Sequence, residues 1–192
     1  LEHLETWLES FLIDRKTRGM SNRTIGFYSQ KLGRFVAWCE TREITKITQI
    51  SPDELRRFLL DLEANGNNAG GRHAYYRAIK TFLLWYENEA EPENWKNPIK
   101  KVPAPKVPIE PIEPITLAEF NKMMKAANGA KWPERDKALL LTLLDTGARA
   151  AEFVAMSLED VNIITGSILI RQGKGRKPRT VFIGKKTRRA LR

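Results

Sequence analysis

Two short stretches of this sequence hold residue types that could do phosphate chemistry. Arg149 lies in Asp145-Thr146-Gly147-Ala148-Arg149-Ala150-Ala151-Glu152-Phe153, just past a helix-breaking glycine and at the start of a new helix. The first N–H groups of a helix have no intrahelical partner and sit at the positive end of its dipole, so an anion is favoured there. A guanidinium fork beside them can hold a phosphate through two parallel bonds, which an ammonium cannot reproduce. Lys174 stands between Gly173 and Gly175, where the glycines let the backbone come close to another molecule and the lysine projects freely. Taken singly, each has a plainer reading: a surface arginine at a helix start, and a solvated turn. A nucleotide-binding P-loop is excluded, because Gly173-Lys174 is followed by glycine rather than Ser or Thr.

The elements that must position these residues are mostly helical. Leu4, Trp7, Leu8, Phe11 and Leu12 recur at three- and four-residue spacing and form one apolar stripe. Ser21 caps a second helix that turns Phe27, Tyr28, Leu32, Phe35, Val36 and Cys39 inward. Ser51-Pro52-Asp53-Glu54 starts a third, with serine as cap, proline at the first helical position and Glu54 closing a capping box. Asn65-Gly66-Asn67-Asn68 breaks the chain, Gly70-Gly71 follows, and a fourth helix runs from about Arg72 to Glu89, burying Tyr75, Ile79, Phe82, Leu83 and Tyr86. These four can close one small bundle.

A proline-punctuated segment follows (Pro98, Pro103, Pro105, Pro108, Pro111, Pro114) and reads as a linker with a boundary near residues 104–107. Thr116-Leu117-Ala118-Glu119 is another capping box, and leads a helix to about Ala127. Ala138 to Leu144 is apolar nearly all round and predicts a central buried helix ended by Thr146-Gly147. The helix beginning near Arg149 carries Phe153, Val154 and Met156. Beyond Asp160 the period changes to two, so Ile168–Ile170 and Thr180–Ile183 predict a hairpin across Gln172–Pro178. A last helix starts near Lys186.

Charge points to a polyanion. Of 192 residues, 33 are basic and 23 acidic, a net of +10, and the excess is uneven: 15 to 14 in the first hundred residues, 18 to 9 in the rest. From Arg171 to Arg192 ten basic residues run without one acid. Such a field favours nucleic acid, since each neutralised phosphate releases condensed counterions, although a solvated basic tail has the same composition. No apolar run reaches the ~18 residues a membrane helix needs. Cys39 is the lone cysteine, which suits a reducing cytosol, and His3 and His73 have no cysteine partners for a zinc site.

Together and in this order, these features resemble the tyrosine recombinase (phage integrase) family. Thr146-Gly147-Ala148-Arg149-Ala150-Ala151-Glu152 matches its Thr-Gly-x-Arg-x-x-Glu signature, and Gln172-Gly173-Lys174-Gly175-Arg176-Lys177-Pro178-Arg179 supports it independently. Ser21–Thr24 with Phe27-Tyr28, and Arg72 to Tyr86, look like the second and fourth helices of the family's core-binding domain. The resemblance implies a mainly α fold: a SAM-like four-helix core-binding bundle over 1–103, a linker over 104–114, and over 115–192 the N-terminal part of an α-helical catalytic domain with a β-hairpin.

It further implies DNA breaking and rejoining through a 3′-phosphotyrosine link, with Arg149 as the first catalytic arginine and Lys174 as the hairpin lysine. Glu152 then either orients Arg149 or is an ordinary helix-start acid. No metal or other cofactor is implied. The family also needs a His/Lys-x-x-Arg element, a further His or Trp and the tyrosine, all later in the chain, and no tyrosine or histidine lies beyond Tyr86 here. A 192-residue chain without them is expected not to cleave DNA.

The implied partner is double-stranded DNA in the nucleoid, with a tetramer assembled on DNA by the longer protein, and no membrane. Arg23, Lys31, Arg34, Arg72, Arg77 and Lys80 on the second and fourth helices are candidate DNA contacts, as are Arg176, Lys177 and Arg179 at the hairpin; most would touch phosphate. Two competing readings remain: a non-catalytic DNA-binding module using the same clamp, and an RNA-associated basic protein.

Overall fold

The computed structural model describes residues 3–109, 111–171 and 177–192. The chain divides into two compact units, Leu1–Pro111 and Ile112–Arg192.

The first unit holds α1 (Leu4–Thr17), α2 (Asn22–Glu40), α3 (Pro52–Ala64) and α4 (Ala69–Ala90). Local chemistry sets three of their starts. The Ser21 hydroxyl accepts from the Thr24 N–H at 3.2 Å, and the Ser51 hydroxyl from the Glu54 N–H at 3.2 Å. Glu54 does not complete the expected box; its carboxylate faces Arg42 instead, at 3.9 Å. The Asn68 side chain accepts from the Gly71 N–H at 2.7 Å, so α4 begins three residues earlier than the sequence suggests and takes Gly70-Gly71 into its first turn.

Phe11, Leu32, Phe35, Phe58, Leu62, Phe82 and Leu83 are fully buried where the four helices meet. Their rings pack edge to face, as in Phe11–Phe82 at 5.4 Å and Phe35–Phe58 at 5.0 Å between centroids. Trp7, Trp38, Trp85 and Trp95 pack on or in this core. The chain after α4 returns to it: Ile99 and Val102 are buried, the Tyr76 hydroxyl donates to the Val102 carbonyl at 2.8 Å, and the Asn97 amide to the Leu83 carbonyl at 3.1 Å.

Among the described residues, the second unit holds α5 (Leu117–Ala127), α6 (Pro133–Thr146), α7 (Ala150–Val154), three short antiparallel strands, β1 (Val161–Asn162), β2 (Ser167–Ile170) and β3 (Arg179–Phe182), and α8 (Lys185–Ala190). The Thr116–Glu119 box is closed in both directions, with Thr116 N–H to Glu119 at 2.8 Å and Glu119 N–H to Thr116 at 3.2 Å. β2 and β3 form the expected hairpin, with Ile168 opposite Val181 and Ile170 opposite Arg179. β1 was not expected; at two residues it is too short to show a period. Gly166, at φ +78°, makes the β1–β2 turn, and its carbonyl accepts from the Ile183 N–H at 2.8 Å.

The expectation of a central buried α6 is corrected. Only Ala138 and Thr142 of this helix are buried, and Leu144 is 57% exposed. Within this unit α6 packs on α5 and α8, and Leu140, Leu143 and Leu144 line an open apolar groove with Leu117, Phe120 and Met123. Val154 is likewise exposed. Trp132, the fifth tryptophan, is 55% exposed.

Candidate active corner and nucleic-acid interface

In the second unit, Gly147 ends α6 in the left-handed region at φ +57°, its N–H donating to the Leu143 carbonyl at 2.9 Å. Two residues later Arg149 caps α7 in extended backbone. The corner is braced from the C-terminal side: the Asp145 carboxylate accepts from the Gly184 N–H at 2.7 Å and from the Thr187 hydroxyl at 2.5 Å.

Glu152 organises the corner. Its side chain is 4% exposed, yet it faces two guanidinium groups. Arg179 donates to both oxygens, at 2.9 and 2.6 Å. Arg149 donates through Nη1 at 2.9 Å, and its backbone N–H donates to the other oxygen at 3.0 Å. The paired Arg179 guanidinium foremost, then the Arg149 backbone N–H, hold the Glu152 carboxyl down to about 2. Glu152 is therefore both a helix-start acid and a group that holds Arg149; the two readings offered by the sequence coexist. Arg149 makes one side-chain bond to it and is 60% exposed, so most of its fork faces outward.

A second buried carboxylate pins the other arm of the hairpin. Asp160 accepts from Arg171 Nε at 2.5 Å and from the Ser157 N–H at 3.0 Å. The Ser157 N–H first, and then Arg171, keep the Asp160 carboxyl below its usual range. Lys174 and Arg176, which the sequence places in the turn, lie outside the described residues; Lys177 is described and exposed.

In the first unit, cations flank the seam between α2 and α4. Lys31 sits over the Tyr75 ring at 4.3 Å and Arg34 over the same ring at 5.7 Å, while Arg77 lies 6.0 Å from the centre of Phe27. Arg23 precedes Phe27 by one turn and Lys80 follows Arg77 by one, and both are exposed. These five make no ion pair among the described residues, whereas Arg72 pairs with Glu63 at 2.6 Å.

Sequence reasoning missed the partners rather than the cations. Glu63 and Asp145 carry no local signal, because what they hold lies 9 to 42 residues away, and the Ser157–Asp160 box gives no sign of the Arg171 that Asp160 also holds. No helix among the described residues is long and apolar enough to cross a membrane.

Comparison with known proteins gives a consistent picture. Residues 113–192 match the phage integrase family model, and residues 5–90 match the model of the phage integrase N-terminal SAM-like domain. Tyrosine recombinase XerC 2 of Ralstonia nicotianae is 28% identical over 190 residues, covering 95% of this chain and 53% of the relative. Tyrosine recombinase XerD of Staphylococcus saprophyticus is 28% identical over 183 residues, covering 94% and 61%. The chain thus spans little more than half the length of these relatives.

Among solved structures, a lambda integrase dimer bound to a COC′ core site superposes with a TM-score of 0.74 at 17% identity, over 94% of this chain and 48% of that one. XerH site-specific recombinase bound to palindromic difH gives 0.69 at 21%, over 96% and 55%. At these identities the structures speak to the fold. With a helical SAM-like bundle, a Thr-Gly-x-Arg-x-x-Glu corner and both family models matched in order, the chain belongs to the phage integrase family of tyrosine recombinases.

Proposed function

We propose that this chain is the DNA-clamping first part of a site-specific recombinase that breaks and rejoins DNA through a 3′-phosphotyrosine link. Residues 1–103 serve as the core-binding domain, 104–114 as linker, and 115–192 as the opening part of the catalytic domain. The observation that carries this reading is the outward-facing Arg149 held by a buried, ionised Glu152.

Attack on phosphorus builds charge on the non-bridging oxygens, and a guanidinium already fixed in place stabilises that charge without reorganising. Lys174 is the proton donor to the departing 5′-oxygen. Arg23, Lys31, Arg34, Arg77 and Lys80 bind backbone phosphate, with Arg176 and Lys177 near the hairpin. Double-stranded DNA in the nucleoid is the partner, and the longer protein assembles as a tetramer on it.

The 192-residue chain itself does not cleave. Its four tyrosines lie in the first unit, where Tyr75, Tyr76 and Tyr86 are buried and Tyr28 packs against the core. Incubating the chain with a nicked duplex should give no covalent protein–DNA adduct. In the chain extended to the length of its relatives, Arg149→Ala should abolish cleavage while largely sparing binding. A Lys174→Ala version should be rescued by a substrate with sulfur at the bridging 5′ position. Undiminished cleavage by the Arg149 variant would remove the assignment. Binding by the extended chain with no cleavage under any condition would favour a non-catalytic module.

A further inference from the structure

We infer that Arg179 is a positioning residue that acts through Glu152 on Arg149, rather than a phosphate contact. This rests on the recombinase reading of Arg149 but is carried by a different observation, the unequal sharing of one carboxylate between two arginines.

Arg179 aligns both Nη groups on the two Glu152 oxygens, which is the bidentate geometry that fixes a carboxylate plane. Arg149 shares one of those oxygens through a single Nη. Arg179 thus has its fork occupied and is the less exposed of the two, at 37% against 60%. Arg149 keeps its remaining donors for an outside anion. A guanidinium has five N–H groups in a fixed fork, so a carboxylate that cannot rotate sets the plane in which Arg149 presents them.

The location adds to the case. Arg179 opens β3 and lies directly opposite Ile170, the last residue of β2. The next residue, Arg171, is pinned by buried Asp160. Both roots of the turn that carries Lys174 in sequence are thereby tied to buried carboxylates, one of which also holds Arg149. Arg179 is the link by which the hairpin and the arginine corner are registered to each other.

The test compares Arg179→Gln, Arg179→Lys, Glu152→Gln and Arg149→Gln by two readouts. The first is the side-chain Nε–Hε NMR signal of Arg149 and its exchange with water. It should shift and exchange faster in Arg179→Gln and Glu152→Gln, with an intermediate shift in Arg179→Lys, which keeps the charge but loses the fork. A merely structural role would leave the Arg149 signal in place while the melting temperature falls.

The second readout is the salt dependence of binding to a duplex. Arg149→Gln should reduce the log–log slope by about 0.9, the loss of one phosphate contact, and adding Arg179→Gln to it should take away no more, because Arg179 acts only through Arg149. The inference is overturned if the double variant loses about 1.8, twice the single contact, or if the Arg149 signal stays fixed in a folded Arg179 variant. Should Arg179→Gln fail to fold, Arg179→Lys decides by the Arg149 signal, since lysine loses the fork but keeps the charge that the salt slope reads. If the unaltered chain shows no salt-dependent duplex binding, the DNA-binding reading fails, while the NMR readout still tests the positioning role.

Discussion

Replacing Arg77 by alanine should flatten the salt dependence of duplex binding, whereas the same change at Arg72 should not. Five cations along the α2/α4 seam, Arg23, Lys31, Arg34, Arg77 and Lys80, have no carboxylate partner among the described residues, while Arg72 is matched by Glu63 at 2.6 Å. Each phosphate neutralised contributes about −0.9 to the slope of log K against log salt, so this seam alone supplies roughly −4.5. Raising salt fourfold, from about 50 to about 200 mM, then weakens binding by roughly 500-fold on its account. Without Arg77 the slope falls by about 0.9, which makes the same salt step about 3.5-fold less damaging. Without Arg72 the slope stays as it was, because that charge was already neutralised within the protein. Fluorescence anisotropy of a labelled duplex at four or five salt concentrations measures both. Equal flattening by the two variants would refute the idea that ion pairing inside the protein decides which cations reach DNA.

Acid should loosen the second unit through its buried carboxylates. Glu152 titrates near 2 in the folded chain rather than at its usual 4.5, and Asp160 is also lowered, so the stability they add is complete above about pH 4.5 and is lost as pH falls towards 2. Melting temperatures followed by circular dichroism should fall across that window, and Glu152→Gln should remove part of the fall; an unchanged pH profile in that variant would contradict the pairing. Two left-handed glycines of the second unit, Gly147 and Gly166, should respond unequally to alanine. Gly147→Ala meets no atom within 4 Å and bears only backbone strain of about 1–2 kcal/mol, whereas the new Cβ in Gly166→Ala would lie 2.8 Å from the Ile183 carbonyl oxygen and should cost clearly more by denaturant titration.

Much of the fold is legible because its signals are local. Ser21, Ser51 and the Thr116–Glu119 box each cap a helix within four residues, and the change of period after Asp160 marks the hairpin. Where reading falls short, the deciding partner is remote or absent. The run from Ala138 to Leu144 has the composition of a buried helix, but burial needs a covering surface on every side, and this unit covers only part of it. Gly70-Gly71 look like breakers until Asn68 is recognised as the cap that starts α4 ahead of them. Arg72 and Arg179 read from sequence as candidate DNA contacts, because the carboxylates that pair with them lie 9 and 27 residues away. At the candidate site, spacing and the family resemblance together point to Arg149 and Glu152, whereas the way Arg179 joins them is visible only in three dimensions.

The division of indoles between the two units gives the protein a built-in optical label. Trp7, Trp38, Trp85 and Trp95 pack on or in the helical core, while Trp132 stands largely in water beside Lys131. A sheltered indole shifts its emission to the red when its surroundings melt, whereas an exposed one already emits there. Intrinsic fluorescence therefore tracks the first unit and stays nearly silent about the second, so the two halves can be watched separately in a single unlabelled sample when backbone signals are recorded alongside.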